Sequence, residues 1–499
     1  MKIYVIVLLT ICLAVDGAAQ HSFDFLYETP DDKYISNGSI DQEGNAILVG
    51  LIGDFYLKDY DGLLMKVQPD GKYMTKRFNK QDTLNRLCSV NILDNGNYLI
   101  AGNFGATDDW NYVDYFWVLI LDHTLEVIDE NYFLIDEYYT GFGGRMKSLV
   151  DNDGNICIVG QAIEFVTNPQ SPRTDYVMFK LNQEGDTLMS RYYQYPYWQL
   201  PYELMIIPDT DSLMLLGGTM STAGHPTVTI MDKNMQIHTV NHFYISGLYD
   251  MLSADFWLNE SEFLMAGPNS FSDGRYLDDY IGVYRMNTAG QVFEELVLSI
   301  PDTSIYRAWN KSIVYANDST VYVAGFQAFA NNMKPNAVYL FVIDREMNIL
   351  GSTGFFIGDA QYQVTGILPM HDDGCLMHIA KNKPNAQGVL ERDVYIRKYL
   401  RENIVITTTV EKIPLEKLNL KLWPNPADAE LFVSLEGMNP NQNIRFKIFN
   451  TNGIMFLDKK LTIDGNIIRC NISNMPSGLY VYEILGEGMT KHTGKFIKK

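Results

Sequence analysis

Positive charge is scarce in this sequence. The chain sets 39 Lys and Arg against 60 Asp and Glu, a net of −21. Residues 411–499 hold 12 basic and 9 acidic residues, or +3, so everything before them carries −24. A surface that acidic repels phosphate backbones, which excludes nucleic acid as a partner. Cysteine is scarce too. Cys12 lies in the apolar N-terminal run, and Cys88, Cys157, Cys375 and Cys470 are far apart with no CxxC spacing. That pattern specifies neither a disulfide framework nor a zinc site, and buried free thiols are expected.

Long apolar runs are absent after residue 20, so no transmembrane segment is expected in the rest of the chain. Catalytic signatures are missing as well: there is no GxSxG, HExxH, P-loop or CxxC. None of the eight histidines stands in a motif. His238 and His242 are four apart in a strand, about 13 Å, too far to share a metal. His371 and His378 flank a turn and are expected to be solvated. No cofactor and no metal follow from the residues, and no catalytic set is visible.

What is there begins with "MKIYVIVLLTICLAVDGAAQ". A basic Lys2, an apolar stretch and a small-residue Gly17-Ala18-Ala19 end read as a secretory signal peptide over residues 1–19. Tyrosine (32) and phenylalanine (25) are abundant, which favours strands.

A repeat then dominates. Six apolar strands end on Gly50, Gly102, Gly160, Gly217, Gly267 and Gly325, and a seventh ends on Ala380. The spacings are 52, 58, 57, 50, 58 and 55. Each unit has a first strand, a tight turn such as "LDNGN" or "DNDGN", the Gly-terminated strand, a longer loop, a third strand, a short turn and a fourth strand. Asn-Gly and Asp-Gly between apolar runs are hairpin signals, because both residues accept positive φ. The "DNDGN" at Asp151 reads as such a turn, since the other ligands of a calcium loop are missing. The Asp before the third strand (Asp61, Asp114, Asp175, Asp279, Asp393) recurs once per unit, which points to a structural hydrogen bond.

Four antiparallel strands every fifty-odd residues match a propeller blade. The expectation is all-β: a seven-bladed β-propeller over residues 21–410, a linker at 411–421, and a small immunoglobulin-like β-sandwich at 422–499. A long open β-solenoid is the alternative architecture for the body. Either "SFDFLYE" or "NIVITTT" supplies the strand that completes the last unit.

Turns after strands one and three are short, whereas loops after strands two and four are often long. One face is therefore plain and the other decorated. Trp110, Tyr112, Tyr139, Phe142, Tyr195, Tyr197, Trp198, Arg307 and Trp309 lie on or beside the long loops. Aromatic rings beside carboxylates suit a glycan or a protein ligand, so the loop-rich face is the expected binding surface. The alternative is a polysaccharide hydrolase or lyase with its site in the propeller funnel.

The tail carries Trp423-Pro424-Asn425-Pro426, an Asn452-Gly453 hairpin, Pro476-Ser477-Gly478-Leu479-Tyr480, and a final Gly494-Lys495-Phe496-Ile497-Lys498-Lys499. As an ordered set these motifs resemble the type A C-terminal sorting domain of the type IX secretion system of Bacteroidetes. Trp423 replaces the usual Tyr and keeps the aromatic. The resemblance implies export through the periplasm, recognition by the outer-membrane secretion machinery, and release or attachment at the cell surface. A plain adhesive module of the same fold is the alternative reading of the tail.

Overall fold

The structure is a computed structural model. It describes residues 22–54, 59–80, 83–105, 115–134, 138–140, 146–164, 173–193, 199–219, 226–243, 252–272, 277–300, 303–328, 335–384, 390–404, 420–435, 443–450, 455–462, 467–486 and 492–499. Two compact units divide at residue 406. Every described element is a strand, apart from one 3-10 turn at Arg401–Asn403.

The first unit holds seven antiparallel sheets. Six of them follow each other along the chain. The seventh is built from Gln361–Pro369, Cys375–Pro384 and Leu390–Tyr399, with Phe23–Tyr27 as its fourth strand. The segment after the N-terminal apolar run thus takes the last place. Of the competing segment 403–409, Asn403 ends the 3-10 turn, and residues 405–409 lie outside the described residues.

The sheets pack face to face in chain order. Seven apolar clusters form, one at each junction of consecutive sheets, and the last joins the seventh sheet to the first. In that last cluster Ile35, Leu48 and Met65 meet Leu368, Leu376 and Ile396. A sheet buried on both faces has no polar side, which is why the middle strands read as unbroken apolar runs. Sheets packed in such a circuit make the body β-propeller-like.

The strand-ending glycines answer to the first strand beside them. In the first two sheets the first strand bulges where it passes the glycine, between Ile35 and Asn37 and between Leu87 and Ser89. A Cβ at Gly50 would lie 1.9 Å from the Tyr34 carbonyl oxygen, and one at Gly102 would lie 2.2 Å from that of Arg86. Only glycine admits so close a backbone approach.

The short turns carry a shared device. Asp41, Asp122, Asp151 and Asp232 each accept the amides two and four residues ahead through Oδ1, at 2.8–3.0 Å. A short carboxylate does this well, because its reach matches a tight turn. Glycine holds the left-handed position in several turns, but Leu125, Met235 and Met347 hold it in others, at φ 70°, 57° and 63°. Their side chains are buried in the clusters between sheets. Burial worth about 2 kcal/mol offsets a conformational cost of about 1 kcal/mol.

These turns are also where the sheets bond to each other. Outer-strand side chains donate to carbonyls in the next sheet's turn: Lys76 Nζ to Leu125 (2.8 Å), Asn131 Nδ2 to Gly185 (3.3 Å), Arg191 Nε to Asn234 (2.8 Å) and Asn241 Nδ2 to Thr288 (2.8 Å). Third-strand lysines do the same from within. Lys66 reaches His123 O (3.2 Å), Lys180 reaches Lys233 O (2.8 Å) and Lys398 reaches Pro69 O (3.4 Å). Each of these ammonium groups is paired with the carboxylate of its own sheet's turn: Asp41, Asp151 and Asp372. Tyr98 of the second sheet joins the first pair, donating to Asp41 Oδ2 and accepting from Lys66, both at 2.9 Å.

Where the sequence reading named particular residues, the outcomes differ. Cys88, Cys157, Cys375 and Cys470 are buried free thiols. Asp61 accepts from Asn79 Nδ2 (2.5 Å), and Asp393 pairs with Lys33 (2.8 Å). Asp114 lies outside the described residues. His371 is exposed, but the expectation that His378 is solvated fails. His378 is buried within Cys375–Pro384, a strand covered on both faces.

The second unit has a three-stranded sheet (Leu420–Trp423, Glu430–Leu435, Ile467–Asn471) and a four-stranded one (Met455–Thr462, Asn443–Asn450, Gly478–Gly486, His492–Lys498). They enclose one core that includes Leu431, Val433, Phe446, Ile448, Tyr480, Tyr482 and Phe496.

Two stability outcomes follow. Leu125→Gly should lower the unfolding free energy by about 1–3 kcal/mol in urea titration, because lost burial outweighs the relieved backbone. The exposed left-handed Asp209 has no such burial, and Asp209→Gly should stay within about 1 kcal/mol of wild type. Asp41→Asn should cost about 3 kcal/mol, since it leaves the Lys66 ammonium uncompensated in a buried site. Burial opposes the charged form of Asp41, but hydrogen bonds from Asn45 and Tyr98 and the Lys66 charge outweigh it and hold the carboxyl below its usual range. The carboxylate's stabilisation is therefore present at neutral pH and lost as pH falls below about 4. The gap between wild type and Asp41→Asn should narrow there in thermal melts.

Candidate functional site

The short turns close one end of each strand pair, and the longer connections leave from the other. At that loop end the described residues form a polar and aromatic rim around the first strands. Arg86 donates to Tyr60 Oη (3.2 Å), with its guanidinium 5.6 Å from the Tyr60 ring centre. Tyr34, Leu51, Tyr60 and Leu84 pack as a small separate cluster between the first two sheets. Residues 308–311 of the sixth sheet dock along the seventh, Trp309 N donating to Val364 O (3.0 Å) and Asn310 N to Thr365 O (2.9 Å). The Asn310 side chain then passes the seventh sheet and donates to Tyr34 Oη of the first (3.3 Å).

Further along the first strands lies a row of charges, positive on the third and sixth sheets and negative on the fourth and fifth. Lys147 of the third sheet is 3.5 Å from Glu203 of the fourth, and Lys311 of the sixth is 2.5 Å from Asp255 of the fifth. Burial disfavours the Lys311 ammonium, but Asp255 and Glu203 together hold its pKa above the usual lysine value. Burial first, and the Lys311 charge second, push His378 down to about 3. Its imidazole is neutral at any ordinary pH. Nδ1 lies 2.7 Å from Thr365 Oγ1, which itself donates to the His378 carbonyl (2.9 Å). Nδ1–H donating to Oγ1 satisfies the whole chain. Among the described residues, Glu203 and Asp255 each have a lysine partner, and the buried His378 imidazole is fixed by a threonine. This arrangement holds charge in place rather than moving protons.

The named loop residues fare unevenly. Trp110, Tyr112, Phe142, Tyr195, Tyr197 and Trp198 lie outside the described residues. Tyr139 belongs to the strand Tyr138–Thr140 on the loop side of the third sheet. Trp309 is 38% exposed. Arg307 is buried, and its guanidinium donates to the Ala308 carbonyl and to that of Trp309 (3.1 Å). The structure thus joins Arg307 to Trp309 and adds Tyr34, Tyr60, Arg86 and Asn310, which the sequence reading missed. A signal for the inner charges was present: Lys147, Glu203, Asp255 and Lys311 each interrupt or border an otherwise apolar first strand.

In the tail, Trp423 stacks on Phe432 at 5.9 Å. Asn425 Oδ1 accepts the Ile497 amide (3.0 Å), Ala427 N donates to Ile497 O (2.8 Å), and Lys499 N donates to Ala427 O (2.8 Å). The turn of Pro424 and Pro426 therefore lies bonded along the terminal strand. Tyr480 is buried and donates to the Pro476 carbonyl (2.8 Å), with Gly478 opening its strand. Lys495 is exposed, whereas Lys498 is buried, 3.7 Å from Asp428. Asn452 and Gly453 lie outside the described residues.

No curated protein is detectably similar in sequence to this chain. Several solved structures share a remote likeness. An acylaminoacyl peptidase from Pyrococcus horikoshii is 11% identical, with 82% of this chain matched and TM-score 0.40; the chain spans 59% of that protein's length. The NanB sialidase of Streptococcus pneumoniae is 8% identical, over 72% of this chain and 84% of that one, at TM-score 0.44. The β-propeller domain of the trilobed protease from Pyrococcus furiosus is 11% identical, over 76% and 99%, at TM-score 0.38. Likenesses this remote carry no argument about activity. Residues 421–499 match the family of secretion system C-terminal sorting domains. The chain is an exported, type IX-secreted protein: a β-propeller-like body followed by a C-terminal sorting domain that delivers it to the cell surface or beyond.

Proposed function

We propose that the body is a seven-bladed propeller that binds a glycan or a protein through its loop-rich face, outside the cell. In this reading residues 1–19 are a signal peptide, 21–410 the propeller, 411–421 a linker, and 422–499 an immunoglobulin-like sandwich engaged by the type IX machinery. Trp423, Pro424, Asn425, Pro426, Asn452, Gly453, Pro476, Gly478, Tyr480, Lys495 and Lys498 are its sorting motif. Trp110, Tyr112, Tyr139, Tyr195, Tyr197, Trp198 and Trp309 offer rings to the ligand, and Arg307 braces Trp309 through its carbonyl.

The observation that carries the reading is the Asn310–Tyr34 bond passing the seventh sheet, with the exposed Trp309 ring beside it. A bridge there closes off depth on that side of the first strands and leaves an aromatic surface, which suits stacking on a sugar or an apolar side chain. The inner carboxylates point the same way, because both are neutralised by lysines. A polysaccharide hydrolase or lyase is the second reading. It is favoured only by Glu203 and Asp255 standing on adjacent sheets.

A glycan array and a turnover screen on the purified chain separate the two. Retention without product release is expected. Tyr197→Ala combined with Trp198→Ala should weaken retention about tenfold, roughly the loss of one stacked ring, with the melting temperature unchanged. Glu203→Gln should leave retention as it is. Product release abolished by Glu203→Gln would establish the enzyme instead.

A further inference from the structure

The four-stranded sheet of the tail is apolar on its inner face and, at one end, on its outer face as well. Its inner face is core: Phe446, Ile448, Tyr480, Tyr482, Ile484 and Phe496 are buried. The alternate positions point outward, where a one-sided sheet normally carries polar residues. Here they hold Phe449 opposite both Met455 and Val481, and Leu479 opposite Ile497. Met455 is 51% exposed, Leu479 45% and Ile497 49%. Contiguous apolar stripes of this kind mark interaction sites. Val481 pairs with Lys495, which is exposed, and Lys447, two residues before Phe449, stands opposite Asp458 and Glu483. The stripe is therefore bordered by the exposed Lys495, and by charges of both signs further along the sheet.

Strand addition at the terminal edge is already taken, since Asn425 and Ala427 bond the outer side of the last strand. What that strand presents is its face. Charge indicates what covers it. The tail is +3 and the rest of the chain −24. A partner that grips the tail gains by carrying carboxylates around an apolar floor, because these attract Lys495 and the net positive tail and repel the acidic body.

We propose that this outer face, centred on Leu479 and Ile497, is the surface by which a protein of the secretion machinery holds the tail, using an apolar floor rimmed with carboxylates. The proposal rests on the sorting-domain reading and adds which face is read.

The test uses the full chain in a host carrying a type IX system. Leu479→Thr combined with Ile497→Thr puts β-branched strand formers at both positions and removes the stripe. Surface delivery should fall about tenfold or more while the chain accumulates folded in the periplasm, with its melting temperature near wild type. Lys495→Glu should lower delivery in the same direction, and Arg469→Ala on the opposite sheet should not. Normal delivery of both stripe and Lys495 variants would overturn the proposal. Deleting residues 407–499 runs in parallel: if the deletion blocks delivery and the stripe variants do not, only the face is wrong. Normal delivery of the deletion would sink the sorting reading itself. Concentration-dependent dimerisation of the full chain, broken by the stripe variants, would assign the face to a second copy and also overturn the proposal.

Discussion

The first four sheets of the body and the seventh each hand a hydrogen-bond donor to a turn of the next, and the packing of the first unit depends on this. A backbone carbonyl at the tip of a tight turn has no partner within its own sheet, and it is costly to bury without one. Here the partners are Lys76, Asn131, Arg191 and Asn241 from outside and Lys66, Lys180 and Lys398 from within. The lysines would themselves be costly to bury, and the turn aspartates answer that. One residue type in one turn thus orders its own hairpin through Oδ1, neutralises its sheet's lysine, and aims that lysine at the neighbour. The apolar clusters give the sheets reason to pack. The donors fix the depth and angle at which they do.

A division of labour between the two ends of the strands follows. The turn end is spent on joining sheets, so its geometry has little room to vary. Among the described residues the loop end is bound by Arg86 on Tyr60 and Asn310 on Tyr34. The inner row from Lys147 to Lys311 lies between these ends and balances its charges pair by pair. Lys311 and His378 illustrate the balance: the same burial that would strip charge from a lone lysine is overcome by two carboxylates, and the resulting cation helps keep the imidazole neutral.

Much of this could be read from the sequence, and the remainder could not for identifiable reasons. The repeat announced itself because the bulged first strand forces a glycine at Gly50 and Gly102, and a steric demand of that kind leaves a periodic mark. The turn aspartates were equally visible. His378 was misread because it stands four residues past a turn, where solvent is the ordinary neighbour. Its strand is covered on both faces, so alternation gave no warning. Leu125, Met235 and Met347 were illegible as turn residues, since local preference asks for glycine or asparagine there and only packing from another sheet explains the exception. The Asn310 bridge joins residues 276 apart in the chain, and no local pattern encodes it. Arg307 was placed among the loop side chains, although its carbonyl partners, Ala308 and Trp309, are the next two residues in the sequence.

The strand Leu390–Tyr399 is the last described strand of the first unit, and the chain leaves it toward the tail. It is bonded along one side to Cys375–Pro384 and along the other to Phe23–Tyr27, both antiparallel. Strand-to-strand hydrogen bonds run perpendicular to the strands. A tensile load drawn along that strand from its C-terminal end would therefore meet five residue pairs on one side and ten on the other together, in shear, rather than one at a time. A body anchored in this way can be towed by its tail without being unravelled from the end that is pulled.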